Sequence, residues 1–144
     1  MILLDTNVIS EPLKPGGEPN VLAWIDAQTV ETLYLSTITL AELRFGIAVM
    51  PDGKRKSVLQ RRLEEEVVPI FEGRILSFDV DASKAYAEIR ARARVVGKAI
   101  GTADAYIAAV AVAHGFAVAT RDTSPFEAAG CEFINPWEHG RDNQ

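Results

Sequence analysis

Apolar residues along the chain fall into five short runs, separated by longer segments in which they recur at helical spacing. The short runs have the length of buried strands, and parallel strands must be joined by crossovers that are usually helical. We therefore predict an α/β protein, a three-layer α/β/α sandwich around a central five-stranded parallel sheet. The predicted strands are residues 1–4, Leu33–Ser36, 74–78, 116–120 and 131–134.

The segments between the strands end at glycine or proline, which is typical of helix ends and turns. Thr102–His114 is almost entirely apolar and rich in alanine, so we expect it to be a buried helix. There is no repeat or linker, which predicts one domain over residues 1–137 and a polar tail over 138–144. The other predicted helices cover residues 8–13, a segment capped by Asn20, residues 39–50, 54–71 and 81–96, and a short helix opened by Ser124, Pro125 and Glu127.

Composition narrows the class of protein. A chain of 144 residues that is 48% hydrophobic can bury one core, and none of its apolar runs is long enough to span a membrane. No basic leader precedes the first run, so we expect no signal peptide. The single Cys131 excludes an intramolecular disulfide and fits a reducing cytoplasm. The net charge of −5 argues against a simple basic nucleic-acid binder.

Four acids lie near strand ends or helix starts: Asp5, Glu42, Asp104 and Asp122. In a parallel sheet such positions gather at one edge, where open α/β sheets bind their ligands. Two carboxylates about 4 Å apart repel by ~1 kcal/mol in water and ~4 kcal/mol at an effective dielectric of 20. A cluster of four is therefore costly unless cations occupy it.

Each acid also has a structural alternative. Asp5 can cap the following helical turn, and Glu42 follows Thr39 by three residues, which is the spacing of a capping box. Asp104 lies in a first helical turn, where the helix dipole favours an acid. Asp122 has no such role, because Ser124 is the expected cap of the helix that follows it.

The ligand types indicate the cation. Oxygen ligands suit Mg²⁺ or Mn²⁺, and the only histidines, His114 and His139, are too far apart in sequence to indicate a zinc site. Such ions bind a phosphodiester, activate a water and stabilise the leaving oxygen, so the predicted reaction is hydrolysis of a phosphodiester. Three short polar residues are positioned to orient ligands or water behind the carboxylates: Thr6, Asn7 and Thr120.

Four sequence blocks carry a resemblance to a known family. The blocks are residues 5–7 (Asp-Thr-Asn), 41–46 (Ala-Glu-Leu-Arg-Phe-Gly), 104–109 (Asp-Ala-Tyr-Ile-Ala-Ala) and 120–122 (Thr-Arg-Asp). In order and spacing they resemble the motifs of PIN-domain ribonucleases, above all the VapC and FitB-like toxins of bacterial toxin–antitoxin pairs. The resemblance extends from Met1 to about Trp137.

The resemblance implies metal-binding and catalytic roles for Asp5, Glu42, Asp104 and Asp122, and puts Thr120 at the family's hydroxyl position. It also implies Mg²⁺-dependent cleavage of RNA, a homodimer and a small antitoxin that blocks the site. FitB-like members join a DNA-binding antitoxin, and the complex then occupies operator DNA.

The sequence indicates the surfaces that contact RNA and antitoxin less clearly than it indicates the four acids. Arg90, Arg94 and Lys98 recur four residues apart and form a candidate stripe for RNA backbone contact, although such a stripe also serves solubility. Trp24, Phe45 and Met50 are candidates for an antitoxin groove, although apolar helix residues usually belong to the core.

Other functions fit less well. An aspartyl-phosphate phosphatase needs a second acid two residues after the first, where this chain has Asn7. A phospho-acceptor signalling domain needs paired acids after strand one and a lysine after its last strand, where this chain has Asn135 and Pro136. The alternative from another class is a non-catalytic partner subunit of a DNA-bound regulatory complex.

Overall fold

A five-stranded parallel sheet lies at the centre of the structure, a computed structural model that describes residues 1–141. The strand order is β3-β2-β1-β4-β5, and β1 is the middle strand, with Ile2 paired to Leu33 on one side and to Ala117 on the other. The predicted fold class is confirmed. The strands are β1 (Ile2–Leu4), β2 (Leu33–Ser36), β3 (Ile75–Leu76), β4 (Ala117–Ala119) and β5 (Phe133–Ile134).

Helices connect every pair of consecutive strands, as parallel pairing requires. They are α1 (Thr6–Ile9), α2 (Pro19–Asp26), α3 (Thr37–Ala48), α4 (Lys54–Arg62), α5 (Val68–Ile70), α6 (Val80–Val95), α7 (Thr102–His114) and α8 (Thr123–Ala128). Single turns of 3₁₀ helix cover Glu11–Leu13, Val30–Thr32 and Pro136–Glu138, and a π-helical turn, Leu63–Val67, joins α4 to α5.

Two cores sandwich the sheet, and neighbouring residues of β1 belong to different ones. Leu3 packs with α6, α7 and Phe126, whereas Leu4 packs on the opposite face with residues of α1 to α4. Successive side chains of a strand point to opposite faces, so an unbroken apolar run is what a strand covered on both sides requires. This arrangement fixes β1, and with it Asp5, at the centre of the molecule.

The helix around Glu42 begins earlier than predicted. Helix α3 starts at Thr37 and is capped by Ser36, whose Oγ accepts a 3.1 Å hydrogen bond from the Thr39 amide. The capping box considered as a structural alternative for Glu42 is therefore not formed. Glu42 lies in the second turn of α3, so the helix start does not account for it.

Two other predicted caps are also wrong. Glu18 holds the cap position of α2. The side-chain amide of Asn20 instead donates to the Trp137 carbonyl at 3.0 Å. Helix α8 begins at Thr123, so Asp122 rather than Ser124 holds its cap position, but the Asp122 side chain makes no capping hydrogen bond.

Other predicted segments differ mainly at their ends. The expected turn over residues 8–13 is divided into α1 and a 3₁₀ turn that contains Pro12. The helix predicted over 54–71 widens to π geometry just before Pro69, which has no amide hydrogen to donate. In residues 1–141, no helix combines the length and apolarity needed to cross a membrane. Residues 142–144 of the predicted tail lie outside the described part of the chain.

Candidate active site

Asp5 lies immediately after β1 and is only 5% exposed. Its amide continues the sheet by donating to the Ala119 carbonyl at 2.9 Å. Oδ1 accepts a 2.8 Å hydrogen bond from the Thr6 amide, and Oδ2 accepts one of 2.8 Å from the Thr120 hydroxyl. The capping role of Asp5 is therefore real, but it uses only one of the two oxygens.

The environment of Asp5 disfavours its charge. Burial raises the pKa of this carboxyl from 3.8 to about 6, although the hydrogen bonds from Thr120 and Thr6 lower it. The nearby carboxylates of Asp104 and Glu42 raise the pKa of Asp5 further. Within residues 1–141 no basic side chain pairs with this buried carboxyl, so a bound cation would relieve the repulsion from its acidic neighbours.

Glu42 extends from the exposed side of α3 toward the same edge of the sheet. The Thr6 hydroxyl donates a 2.7 Å hydrogen bond to Glu42 Oε1 and lies 3.2 Å from the Thr39 hydroxyl. Because the Thr6 amide also donates to Asp5, one residue orients two of the four acids. These hydrogen bonds agree with the orienting role expected of Thr6, which stays a prediction.

Asp104 is the third residue of α7 and is half-buried. Burial raises the pKa of its carboxyl, and the charges of Asp122 and Glu42 raise it further. Its position in the first turn of a helix favours a negative charge, as the dipole argument expected, but the acidic neighbours act in the opposite direction.

Asp122 follows β4 by three residues and is exposed. Its amide donates to the Thr120 hydroxyl at 3.2 Å, while its carboxylate raises the pKa of Asp104. The exposed carboxylate is thus close enough to Asp104 to affect its charge, and it makes no capping bond to the helix that it precedes.

The four acids form one connected group at the carboxyl edge of the sheet. Asp5 is coupled to Asp104 and Glu42, and Asp104 is coupled to Glu42 and Asp122. No ion pair neutralises any of the four within residues 1–141. Across the same residues, no group of three or more His, Cys, Asp or Glu side chains is close enough to enclose a metal ion alone.

This open arrangement fits a hard divalent cation. Mg²⁺ keeps several of its waters and is usually held by one or two carboxylates together with substrate phosphates. The donor set consists of carboxylate oxygens, supported by threonine hydroxyls that fix their orientation. A closed tetrahedral site of the zinc kind needs ligands that these residues do not supply.

Comparison with known proteins agrees with this geometry. The family model described as "PIN domain" matches residues 2–130. The chain belongs to the PIN domain family. Membership implies dependence on a divalent metal.

The relatives of this PIN domain include named toxins and ribonucleases. It is 67% identical over 138 residues to VapC ribonuclease Y4jK of Sinorhizobium fredii, covering 96% of this chain and 99% of that protein. It is 54% identical over 137 residues to toxin FitB of Neisseria gonorrhoeae, covering 95% and 99%.

Solved structures show the same fold. The structure of FitAcB from Neisseria gonorrhoeae superposes with a TM-score of 0.92 at 54% identity, covering 95% of this chain and 99% of that one. The structure of FitAB bound to an IR36 DNA fragment superposes with a TM-score of 0.92 at 52% identity, covering 95% and 96%.

The other predicted orienting residues also lie at the site of the PIN domain. Thr120 is fully buried and joins the ends of β1 and β4 through its bond to Asp5. Asn7 is half-buried, and its Oδ1 lies 3.5 Å from the amide of Arg121. Two further polar residues lie beside these groups and are not among the predicted site residues. Thr39 is a buried hydroxyl next to Thr6, and Arg121 lies between Thr120 and Asp122.

The basic stripe lies apart from the acids. Arg90, Arg94 and Lys98 line a groove of about 760 Å³ along the end of α6, and none of the four acids lines it. The Arg90 guanidinium donates to the Tyr86 hydroxyl at 2.9 Å. The three basic residues therefore border one groove, and their contact with RNA stays a prediction.

The three residues considered for an antitoxin groove have different environments. Trp24 is buried in the core, whereas Phe45 is 68% exposed on α3. Met50 is half-buried and lines a groove of about 210 Å³ together with Leu43, Ile47 and Glu42. Only Phe45 and Met50 remain accessible to a partner.

Proposed function

We propose that this PIN domain is a Mg²⁺-dependent ribonuclease, with Mn²⁺ as a substitute ion, and the toxin of a toxin–antitoxin pair. The observation that carries the proposal is the group of four coupled acids, from four separate chain segments, without a basic partner in residues 1–141. The 67% and 54% identities to a VapC ribonuclease and to toxin FitB support it. An RNA substrate and a reduced Cys131 also fit a cytoplasmic location.

In this proposal Asp5, Glu42, Asp104 and Asp122 hold the metal and are the catalytic residues. A divalent metal held by these residues would supply neutralisation of phosphate charge, activation of a water and stabilisation of the leaving oxygen. Asp5 is the most constrained acid, since bonds from the Thr6 amide and the Thr120 hydroxyl occupy one lone pair on each oxygen and leave another on each available.

The other three acids differ in how exposed they are, and we assign their roles from that difference. Glu42 is turned toward the cleft by the Thr6 hydroxyl, which fixes one of its oxygens and leaves the other for a ligand. Asp104 is half-buried, and burial together with the charges of Asp122 and Glu42 raises the pKa of its carboxyl, which disfavours its charged form until a cation is bound. Asp122 is exposed and reaches the solvent-facing side, where an incoming strand of RNA first meets the site.

Cleavage assays test this function directly. Purified protein and a single-stranded RNA are incubated with Mg²⁺, with Mn²⁺ or with EDTA, and the products are separated on a denaturing gel. We expect cleavage with either ion and none in EDTA. Full cleavage in EDTA by protein freed of other nucleases contradicts the proposal.

We also propose that a small DNA-binding antitoxin binds this chain and inhibits it. The solved relatives named above are FitAcB and a FitAB complex on a DNA fragment. A guanidinium pairs bidentately with carboxylates, so a basic side chain of the antitoxin inserted among the four acids would neutralise them. Inhibition that persists after every basic residue of the toxin-binding segment is neutralised contradicts this mechanism.

A homodimer is a further part of the proposal. A largely apolar groove of about 470 Å³ between α3 and α7 is lined by Ile38, Ala41, Glu42, Phe45, Thr102, Ala103 and Tyr106, so it borders the proposed site at Glu42. We propose that a second copy of the chain covers it, because exposed apolar surface of this kind favours association. Analytical ultracentrifugation should give a dimer for the parent and a monomer for Phe45→Asp, and equal masses contradict the assignment.

The second candidate function is a non-catalytic subunit of a DNA-bound regulatory complex. It is favoured by a neighbour solved on a DNA fragment. The two functions separate when cleavage is measured with and without the antitoxin. A free protein that cleaves and a complex that does not support the nuclease, whereas a free protein that is inactive with every divalent ion supports the alternative.

A further inference from the structure

Arg121 is a basic residue placed inside an acidic site. It lies between Thr120, which bonds Asp5, and Asp122, and its side chain is exposed. Its amide lies 3.5 Å from Asn7 Oδ1, in the short helix α1 that follows β1. The backbone of Arg121 is therefore fixed to the same frame as the four acids.

The side chain of Arg121 rests on a rigid surface. Its guanidinium carbon lies 5.3 Å from the centroid of the Trp137 ring. Trp137 is only 8% exposed. Its backbone amide donates to Asn135 Oδ1, and its backbone carbonyl accepts from the side-chain amide of Asn20, both at 3.0 Å. Cation–π attraction to a fixed ring restricts the guanidinium before any ligand arrives, which lowers the entropy lost on binding.

The donors of Arg121 remain available. Within residues 1–141 its guanidinium has no hydrogen bond or ion pair, although its charge lowers the pKa of the Glu11 carboxyl. Two other arginines are occupied by structural contacts: Arg44 pairs with Glu64, and Arg74 donates to three backbone carbonyls. Arg121 therefore keeps five N–H donors without a hydrogen-bonded partner in the described chain, on the loop that also carries Thr120 and Asp122.

A polyanionic substrate needs such a group here. The chain carries a net charge of −5, and the proposed site adds four carboxylates that repel every phosphate not held by metal. A guanidinium binds phosphate bidentately through its planar fork, which suits it to hold a backbone phosphate beside the reacting one.

We propose that Arg121 is a substrate-positioning residue that binds an RNA phosphate adjacent to the scissile one, on the β4 side of the cleft. The proposal rests on the ribonuclease function. It adds a contact to the RNA backbone that the negatively charged acids cannot make. It assigns the guanidinium to the RNA backbone and not to the base, so the contact is independent of sequence.

Steady-state cleavage of a short single-stranded RNA tests the assignment. We expect Arg121→Met to raise KM about tenfold while changing kcat less than twofold, since it removes the charge but keeps an apolar stem over Trp137. Arg121→Lys should recover part of the loss. Arg61→Ala on α4, which supplies none of the four acids, removes the same charge from an exposed position and should leave KM unchanged.

Binding without turnover gives an independent measurement. In an Asp104→Asn background with Mg²⁺, fluorescence anisotropy of labelled RNA should show about tenfold weaker binding when Arg121→Met is added. The slope of log K against log salt should also become shallower by about 0.7, the value for one lost phosphate contact with a single strand.

The outcomes separate the two proposals. If Arg121→Met matches the Arg61→Ala control in both KM and binding, the assignment of Arg121 is wrong while the nuclease function stands. If the parent protein cleaves no RNA but Arg121→Met still weakens RNA binding, the nuclease function fails and the phosphate contact stands. A fall in melting temperature with unchanged KM shows that Arg121 only packs on Trp137.

Discussion

The Thr120 hydroxyl donates a 2.8 Å hydrogen bond to Asp5 Oδ2, which joins the ends of β4 and β1 across 115 residues of sequence. The same hydroxyl accepts from the Asp122 amide at 3.2 Å. One buried oxygen therefore orients the acid after β1 and the loop that carries the acid after β4.

Thr120→Val should disable this link. Valine keeps the shape of the side chain but removes the donor, so Asp5 loses a bond that stabilises its charged form. We expect metal affinity to fall by about 10–100-fold, the usual cost of losing a group that orients a metal ligand. Isothermal titration with Mn²⁺ measures it. Thr120→Ser retains the hydroxyl and is the control, and equal affinities for valine and serine contradict the prediction.

The raised pKa of Asp5 predicts how stability depends on pH without metal. Between 3.8 and about 6 the folded state holds a proton on Asp5 that the unfolded state has released. Stability therefore falls as pH rises through this window, by up to ~3 kcal/mol if the shift is fully expressed. Asp5→Asn cannot ionise, so its free energy of unfolding relative to the parent should increase from pH 4 to pH 7. Urea titrations in EDTA measure this, and a constant difference across the range contradicts it.

Asp104→Asn should stabilise the metal-free protein. Removing the negative charge of Asp104 relieves its repulsion with Asp122 and Glu42, so the melting temperature in EDTA should rise. Mg²⁺ should then stabilise the parent more than the variant, because a ligand of the folded state adds stability by mass action. If Asp104 only complements the helix dipole, the variant instead loses roughly 0.3–1 kcal/mol. A lower melting temperature in EDTA with an unchanged Mg²⁺ response favours that alternative.

Asp122→Asn should remove activity without affecting the fold. The Asp122 side chain does not cap α8, and the bond from its amide to Thr120 survives the substitution. The circular dichroism spectrum and the melting temperature in EDTA should stay close to those of the parent, while RNA cleavage with Mg²⁺ is lost. Unfolding of the variant would show that Asp122 is structural. Glu127→Gln, within α8, is a matched control that should keep activity.

The central strand and the buried helix α7 could be predicted because their local sequence patterns agree with the packing that they have in the fold. The apolar run at residues 1–4 gave the central strand, since only a strand covered on both faces places Leu3 and Leu4 in different cores. Helix α7 had the predicted bounds because Gly101 precedes it and Gly115, with φ near 70°, ends it in the left-handed region.

The helix starts were less predictable because several residues of similar type compete there. Ser36 and Thr39 are both good caps three residues apart, as are Asp122 and Ser124 two residues apart. The choice depends on where the preceding strand ends, which is a property of the sheet. The contact between Arg121 and Trp137 depends on how the chain after β5 packs, so no local pattern could indicate it.

The position of β1 between β2 and β4 has a consequence for synthesis of the protein. Translation produces the first acid at residue 5. Strand β4, which pairs with β1, and Thr120, which donates to Asp5, emerge more than a hundred residues later. A nascent or truncated chain that stops before β4 lacks both Thr120 and Asp122 and leaves one side of β1 unpaired. The ribosome, itself largely RNA, therefore makes this proposed ribonuclease in an order that delays completion of its active site until most of the chain has been translated.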